Sequence, residues 1–354
     1  MGIIYSGNLN VLNRFLIFML AACFCFSSQA AVPVRPNTPV FNKQYPEVLI
    51  SLINQASKSI IAGQYSFSSK GELNQRIIDS LIKAHQRGVE ISIFLEGDKK
   101  GVCENNIQTK AILEKSGIKV FSDSSKRISH AKCCVFDGKF VLAGSTNLTT
   151  TSMTKNNESN LFLESEKIGK ALAGYLDSLI RDSSMDVNVQ AGDSDELMIT
   201  DRLFFEQALK IIESAKKEIC VATYLFAYPV DKPESHTARL FQALSAAAKR
   251  GVAVRVVLEQ SALSFNRDIN EANLKSSEFL QKQGITEIRF DDPQVISHDK
   301  IIITDKSTAL LGSTNWYSVD IDSAHQVNFV EKKPEIVKSI QEYFDQQFGC
   351  AGKK

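Results

Sequence analysis

Two short constellations carry the side chains best suited to chemistry. The first is His130-x-Lys132-x4-Asp137, followed by Gly144-Ser145-x-Asn147. The second is His298-x-Lys300-x4-Asp305, followed by Gly312-Ser313-x-Asn315. Each offers an imidazole, an ammonium, a hydroxyl and a carboxamide. Phosphodiester cleavage needs that set. A diester's own charge repels nucleophiles, and more charge builds on the equatorial oxygens as phosphorus becomes five-coordinate. Lys132 and Lys300 answer that charge, and Ser145, Asn147, Ser313 and Asn315 add donors, so the set needs no metal and no other cofactor. One imidazole can attack phosphorus and hold a covalent phosphoenzyme, while the other protonates the leaving alkoxide and then activates water or an alcohol. Imidazole titrates near about pH 6.5, so small environmental shifts leave one ring neutral and the other charged. Lysine fills the slots where a metal hydrolase needs a carboxylate or imidazole, which disfavours a metal site.

The elements that must position these groups are written twice. Cys133-Cys134-Val135-Phe136 and Ile301-Ile302-Ile303 are apolar runs that predict strands. Residues i and i+2 of a strand share a face, so each His and Lys emerge side by side. A hairpin through Asp137-Gly138, or Asp305-Lys306, returns the chain to the Ser and Asn of the same copy. Upstream, the run from Arg87-Gly88-Val89 to Leu95-Glu96 is answered by Arg250-Gly251-Val252 to Leu258-Glu259. The offset drifts from 159 at Tyr65/Tyr224 to 168 at His130/His298, and residues 229–234 look like one of the insertions responsible. Helical periodicity over residues 48–56, 73–86, 203–212 and 237–249, with Gly88 and Gly251 as helix stops, predicts alternating strands and helices. Each half is therefore expected to be an α/β sheet covered on its faces. The halves are residues 31–182 and 197–354, joined by a polar, aperiodic linker over 183–196.

A single His-x-Lys carries almost no weight, but two complete copies, each behind a matching strand–helix–strand, do. The pattern resembles the phospholipase D superfamily, whose duplicated H-x-K-x4-D signature it matches in both copies. Thr154-Lys155-Asn156-Asn157-Glu158-Ser159-Asn160 looks like small exported bacterial endonucleases and mitochondrial cardiolipin hydrolases, and Gly312 to Trp316 is similar to many bacterial phospholipase D-like proteins. The resemblance implies two α/β sandwich halves meeting at one site on a pseudo-two-fold axis. It implies that Asp137 and Asp305 position the histidines or the hairpin, that His130 is the nucleophile and that His298 is the acid/base. It also implies that Glu158, eleven residues after Asn147, supports a histidine. The second half departs there, offering His325 ten residues after Asn315. The substrate expected first is a phospholipid, met in transient contact with a membrane surface by a monomeric enzyme. An exported endonuclease is the alternative, and a non-catalytic phosphate-binding module is a third reading.

Composition fits without deciding. The chain has 354 residues, 44% hydrophobic and 23% charged, with a formal charge of +1 that advertises no polyanion-coating surface. Arg14 precedes an unbroken apolar run over residues 15–26 and a small-residue stretch ending at Ala30. That predicts a secretory signal peptide over residues 1–30 and a secreted or periplasmic enzyme, with a lipoprotein or an uncleaved anchor as alternatives. Cys133, Cys134 and Cys220 read as buried thiols, and a Cys103–Cys350 bridge stays open. His85 and His236 read as surface or structural, His325 as either pocket-lining or packed, and Trp316 and Tyr317 as core, with the wall of a lipid or base site as the alternative.

Overall fold

The computed structural model describes residues 35–99, 101–123, 126–262 and 266–352, so the expected signal segment lies outside it. In the first half, β1 (Thr38–Phe41), α1 (Tyr45–Gln55), β2 (Ser59–Gln64), α2 (Glu72–Gln86), β3 (Glu90–Leu95), α3 (Cys103–Lys115) and β4 (Lys119–Ser122) lead to the hairpin β5 (Lys132–Phe136) and β6 (Phe140–Gly144). Then follow α4 (Thr150–Thr154), β7 (Ser159–Glu164) and α5 (Glu166–Arg181). The second half repeats this order after one extra strand. It runs β8 (Gln190–Gly192), β9 (Glu196–Thr200), α6 (Leu203–Ser214), β10 (Glu218–Thr223), α7 (His236–Lys249), β11 (Ala253–Leu258), α8 (Arg267–Lys282) and β12 (Glu287–Phe290). It closes with β13 (Lys300–Thr304), β14 (Thr308–Gly312), α9 (Ser318–Asp322), β15 (Val327–Glu331) and α10 (Pro334–Cys350).

The strands form two mixed sheets, ordered β1-β7-β6-β5-β2-β3-β4 and β12-β11-β10-β13-β14-β15-β9-β8. The α/β class and the two homologous halves are as the repeat predicts. β5 and β13 lie mid-sheet and are apolar throughout because both their faces are covered. Cys133 and Val135 face a central core, while Cys134 and Phe136 face an outer core under α1 and α2. Ile301 and Ile303 enter the same central core, and Ile302 turns to an outer core under α6 and α7. The central core also takes Leu172 and Leu176 from α5 and Ile340 and Phe344 from α10. One hydrophobic layer thus belongs to both sheets and fixes how the halves face each other.

Residues 183–196 are not a free linker. Gln190–Gly192 form β8, which pairs with β9, and Ser183 is buried. Polar side chains of the second half draw the segment in: Val187 N donates to Asp201 Oδ2 (2.9 Å) and Val189 N to Thr200 Oγ1 (2.7 Å). Cys103, Cys133, Cys134, Cys220 and Cys350 are all free thiols, so the Cys103–Cys350 bridge does not form.

Candidate active site

Each histidine is fixed by the opposite half. His130 precedes β5, where His325 N donates to Ile128 O (2.8 Å) and His130 N to His325 O (2.9 Å). The mirror image places His298, with Asn157 N donating to Ile296 O and His298 N to Asn157 O, both at 2.9 Å. From within its own half, Glu96 Oε2 accepts from Ser129 N, and Glu259 Oε2 accepts from Ser297 N, each at 2.6 Å. Asn106 and Asn273 then tie the backbones of Glu96 and Glu259 to those of Tyr65 and Tyr224. Those tyrosines matter, because Tyr65 meets His130 edge-on (4.7 Å) and Tyr224 meets His298 likewise (4.8 Å). Lys132 Nζ and Lys300 Nζ lie 4.8 and 5.2 Å from the same two rings.

His130, Lys132, His298 and Lys300 converge. Burial pushes the His130 ring well below its ordinary pKa, and Lys132, Lys300 and His298 push it further. Burial does the same to His298, helped by Lys300 and Lys132. Burial also lowers both lysines, Lys300 to about 8 despite Glu158 beside it, and Lys132 well below its ordinary value, with repulsion from Lys300 added. Each half's charges are felt in the other half, the electrostatic signature of one shared site.

Their supports differ. Glu158 Oε2 lies 2.9 Å from His298 Nδ1, and burial lifts this carboxyl to about 7. At the matching place, 168 residues on, stands Gln326, whose Oε1 lies 3.3 Å from His130 Nδ1. Asp320 Oδ2 is 3.7 Å from the same nitrogen, beyond hydrogen-bonding range. Counting ten residues from Asn315 therefore pointed to the wrong side chain, one position early. His325 matches Asn157, and its ring lies behind the site, with Nδ1 2.9 Å from Asp201 Oδ2 and Nε2 2.8 Å from Ser183 O. With an acceptor at each nitrogen it carries two N–H groups, and Asp201 holds its pKa up against burial.

Other predicted site residues lie elsewhere or are already engaged. Asp137 and Asp305 sit at the far ends of β5 and β13 in the left-handed region (φ 54° and 52°). Asp137 accepts from the backbone N–H groups of Ser57, Lys58 and Ser59, and Asp305 from those of Lys216, Lys217 and Glu218. They anchor the turn and the start of the neighbouring strand, not a histidine. Ser145 and Ser313 are fully buried, donating to Glu158 Oε2 and Gln326 Oε1 (both 2.6 Å) and accepting from Ser159 N and Val327 N. They orient the histidines' partners instead of facing a ligand. Asn315 Nδ2 donates to Asp320 (2.6 Å), and the Oδ1 atoms of Asn147 and Asn315 are both buried without a partner. Trp316 is core and Tyr317 is 40% exposed. Glu96, Glu259, Asn106, Asn273, Gln326 and Asp320 are positioning residues that sequence reasoning missed. The Leu-Glu ending shared by both copies was the signal for the two glutamates.

A cleft of about 490 Å³ opens beside His298, bounded by Asn147, Lys155, Asn156, Tyr224 and Gln294. Among the described residues no group of three or more His, Cys, Asp or Glu is placed to hold a metal ion. No described helix is long and apolar enough to cross a membrane.

Comparison with known proteins matches this architecture. The family described as "Cardiolipin synthase, PLD-like domain" matches residues 49–180 and 208–348, one copy per half. The chain is 28% identical over 106 residues to a mitochondrial cardiolipin hydrolase of Chlamydomonas reinhardtii, covering 30% of this chain and 46% of that one. It is 28% identical over 123 residues to a phospholipase D of Rickettsia prowazekii, covering 35% and 56%. The matches thus span about half of those relatives' own length. The crystal structure of phosphatidylserine synthase from Haemophilus influenzae Rd KW20 superposes with a TM-score of 0.71 at 11% identity, over 90% of this chain and 87% of that one, a likeness of fold. Two matched copies spanning most of the sequence place the chain in the phospholipase D superfamily, with the cardiolipin synthase-type domain in each half.

Proposed function

We propose that the protein hydrolyses phospholipid phosphodiester bonds through a covalent phosphohistidine, without a metal. The observation that carries this reading is the pairing of Glu158 from one half with His298 from the other, opposite the Gln326–His130 pair. Gln326 Oε1 already accepts from Ser313, so the His130 nitrogen facing it carries the proton and Nε2 keeps its lone pair. Burial and two lysines favour the neutral ring, as a nucleophile requires; they act on His298 as well, so the two rings are told apart by their partners. His298 faces a carboxylate instead, so its imidazolium form has a counter-charge. In the first step His130 Nε2 bonds to phosphorus, the P–O bond to the departing alcohol breaks, and His298 delivers its proton to that oxygen. In the second, a water oxygen bonds to phosphorus, His298 takes the water's proton, and the P–N bond breaks. Lys132 and Lys300 stand where the equatorial oxygens gain charge. Asn147 keeps its amide toward the cleft. An alcohol in place of water gives phosphatidyl transfer.

Support for lipid comes from the near-neutral charge and from the relatives, a cardiolipin hydrolase and a phospholipase D matched over about half their length. The test uses the protein with chelator present, phosphatidylglycerol vesicles and a primary alcohol, with single-stranded DNA in a parallel reaction. Phosphatidyl alcohol is the expected product. Nicked DNA with intact lipid overturns the reading in favour of an endonuclease, and inactivity on both and on a chromogenic diester leaves a phosphate-binding module.

A further inference from the structure

The two flanks of the shared site are not equivalent, although the halves that build them are. On the His298 flank the cleft is walled by Asn147, Thr149, Thr151, Ser152, Lys155 and Asn156. No carboxylate is among its lining residues, and Lys155 is exposed and makes no ion pair with any described residue. Asn156 is buried, its Nδ2 donates to Glu158 Oε1 (3.1 Å) and its Oδ1 has no partner; the Oδ1 of Asn147 is equally unsatisfied, as is that of its counterpart Asn315, so Asn156 is the open acceptor particular to this flank. Buried acceptors left open cost free energy unless a ligand donor meets them. The matching positions on the other flank, 168 residues on, hold Val319, Asp320, Ser323 and Ala324 in place of Thr151, Ser152, Lys155 and Asn156. Two hydroxyls, a cation and a carboxamide have become an aliphatic side chain, a carboxylate, a short hydroxyl and a methyl group, while Asn147 is kept as Asn315.

From this polarity we infer that the His298 cleft is the subsite of the departing alcohol, and that Lys155 selects a short polyol carrying a second phosphate. This rests on the function proposed above, in which His298 protonates the leaving oxygen. The unsatisfied Asn147 and Asn156 oxygens accept from polyol hydroxyls, the threonine and serine hydroxyls donate or accept as needed, and Lys155 meets the distal anion. One unpaired lysine matches one extra phosphate. A polynucleotide track needs several cations in a row, and the lining offers one. A quaternary ammonium head group would bring like charge to Lys155, with no carboxylate in the cleft to offset it.

The test compares kcat/KM for two lipids with the same acyl chains in mixed micelles, phosphatidylglycerol phosphate and phosphatidylcholine. The wild type is expected to prefer the phosphate-bearing head by at least about tenfold, a preference that shrinks with added salt because Lys155 is exposed. Lys155→Glu should cut that ratio by about tenfold or more, chiefly through KM, while Lys155→Arg keeps it. Lipid hydrolysis with a ratio that Lys155→Glu leaves within twofold overturns the subsite alone. Wild-type inactivity on both lipids, with cleavage of single-stranded DNA, overturns the subsite and the proposed function together.

Discussion

Glu158, just ahead of β7 in the first half, lies 2.9 Å from the Nδ1 of His298, which stands just ahead of β13 in the second. The same geometry on the other side puts an amide oxygen, Gln326 Oε1, against His130. One ring has a charged partner and the other a neutral one. On the proposed mechanism, that difference gives the two imidazoles unequal tasks.

Removing the acid/base should strand the intermediate. In His298→Asn, attack by His130 on bis(p-nitrophenyl) phosphate still releases one nitrophenol, whose low pKa needs no proton. Hydrolysis of the adduct then lacks its base. Mass spectrometry after alkaline quenching is expected to find the aryl phosphoryl group on His130, with steady turnover down by at least about 10²-fold. An adduct on no residue refutes covalent catalysis, and one on His298 in a His130→Asn protein reverses the roles.

Rate should depend on pH from both sides. Below about 7 the Glu158 carboxyl is protonated and loses its hold on the imidazolium, and above about 8 Lys300 loses its proton and its charge. The logarithm of kcat/KM for a chromogenic diester is expected to form a narrow bell between those limbs, which belong to the coupled site as a whole. Lys300→Arg should move the alkaline limb upward, since guanidinium stays protonated. A flat profile from pH 6 to 9 contradicts the assignment.

Stability and activity should part at Glu158. Its folded pKa of about 7 exceeds the ordinary 4.5, so the folded state holds the proton more tightly. That contribution is complete below about pH 4.5 and is lost as pH rises through 7, a change of up to about 3 kcal/mol. Glu158→Gln removes the titration. Its melting temperature relative to wild type should be higher at pH 8 than at pH 5, while kcat falls by about 10²-fold.

Asp137→Ala should behave in the opposite way. It strips three backbone N–H groups at the head of β2 of their acceptor and is expected to cost about 2 kcal/mol in urea unfolding. At temperatures far below melting, kcat should stay within about twofold, because the carboxylate touches no histidine. A loss of about 10² in kcat without a loss of stability would return Asp137 to the chemistry.

The motif and the fold were legible because they obey local rules. Mid-sheet strands buried on both faces must be apolar throughout, so Ile301-Ile302-Ile303 and Cys133 to Phe136 could be found by eye, and duplication confirmed the register. What escaped detection depends on pairing across the halves. Nothing local to His325 says that its backbone grips His130, or that its ring belongs to Asp201. Gln326 was missed because the Glu158 match was sought by charge, and the second half had changed the charge at that place. Glu96 and Glu259 look like ordinary strand-end acids until the fold buries them under Ser129 and Ser297. Of the two roles implied for Asp137 and Asp305, only the hairpin one fits, again for a reason of geometry. Motif spacing places them beside the histidines in the text, but an extended strand carries them to the opposite edge of the sheet.

The hydrophobic layer between the sheets has a consequence for the halves taken singly. A chain ending after α5 would present Cys133, Val135, Leu161, Leu172 and Leu176 to water, and its His130 would lose the backbone of His325 that holds it. Such a fragment must find a second sheet before it is either soluble or competent. The surface that completes it need only be a copy of itself, since the contacts that join the halves recur with the roles exchanged. Fusion in one polypeptide frees the copies to diverge, and here Glu158 and Gln326 have done so at the place where two identical subunits could not.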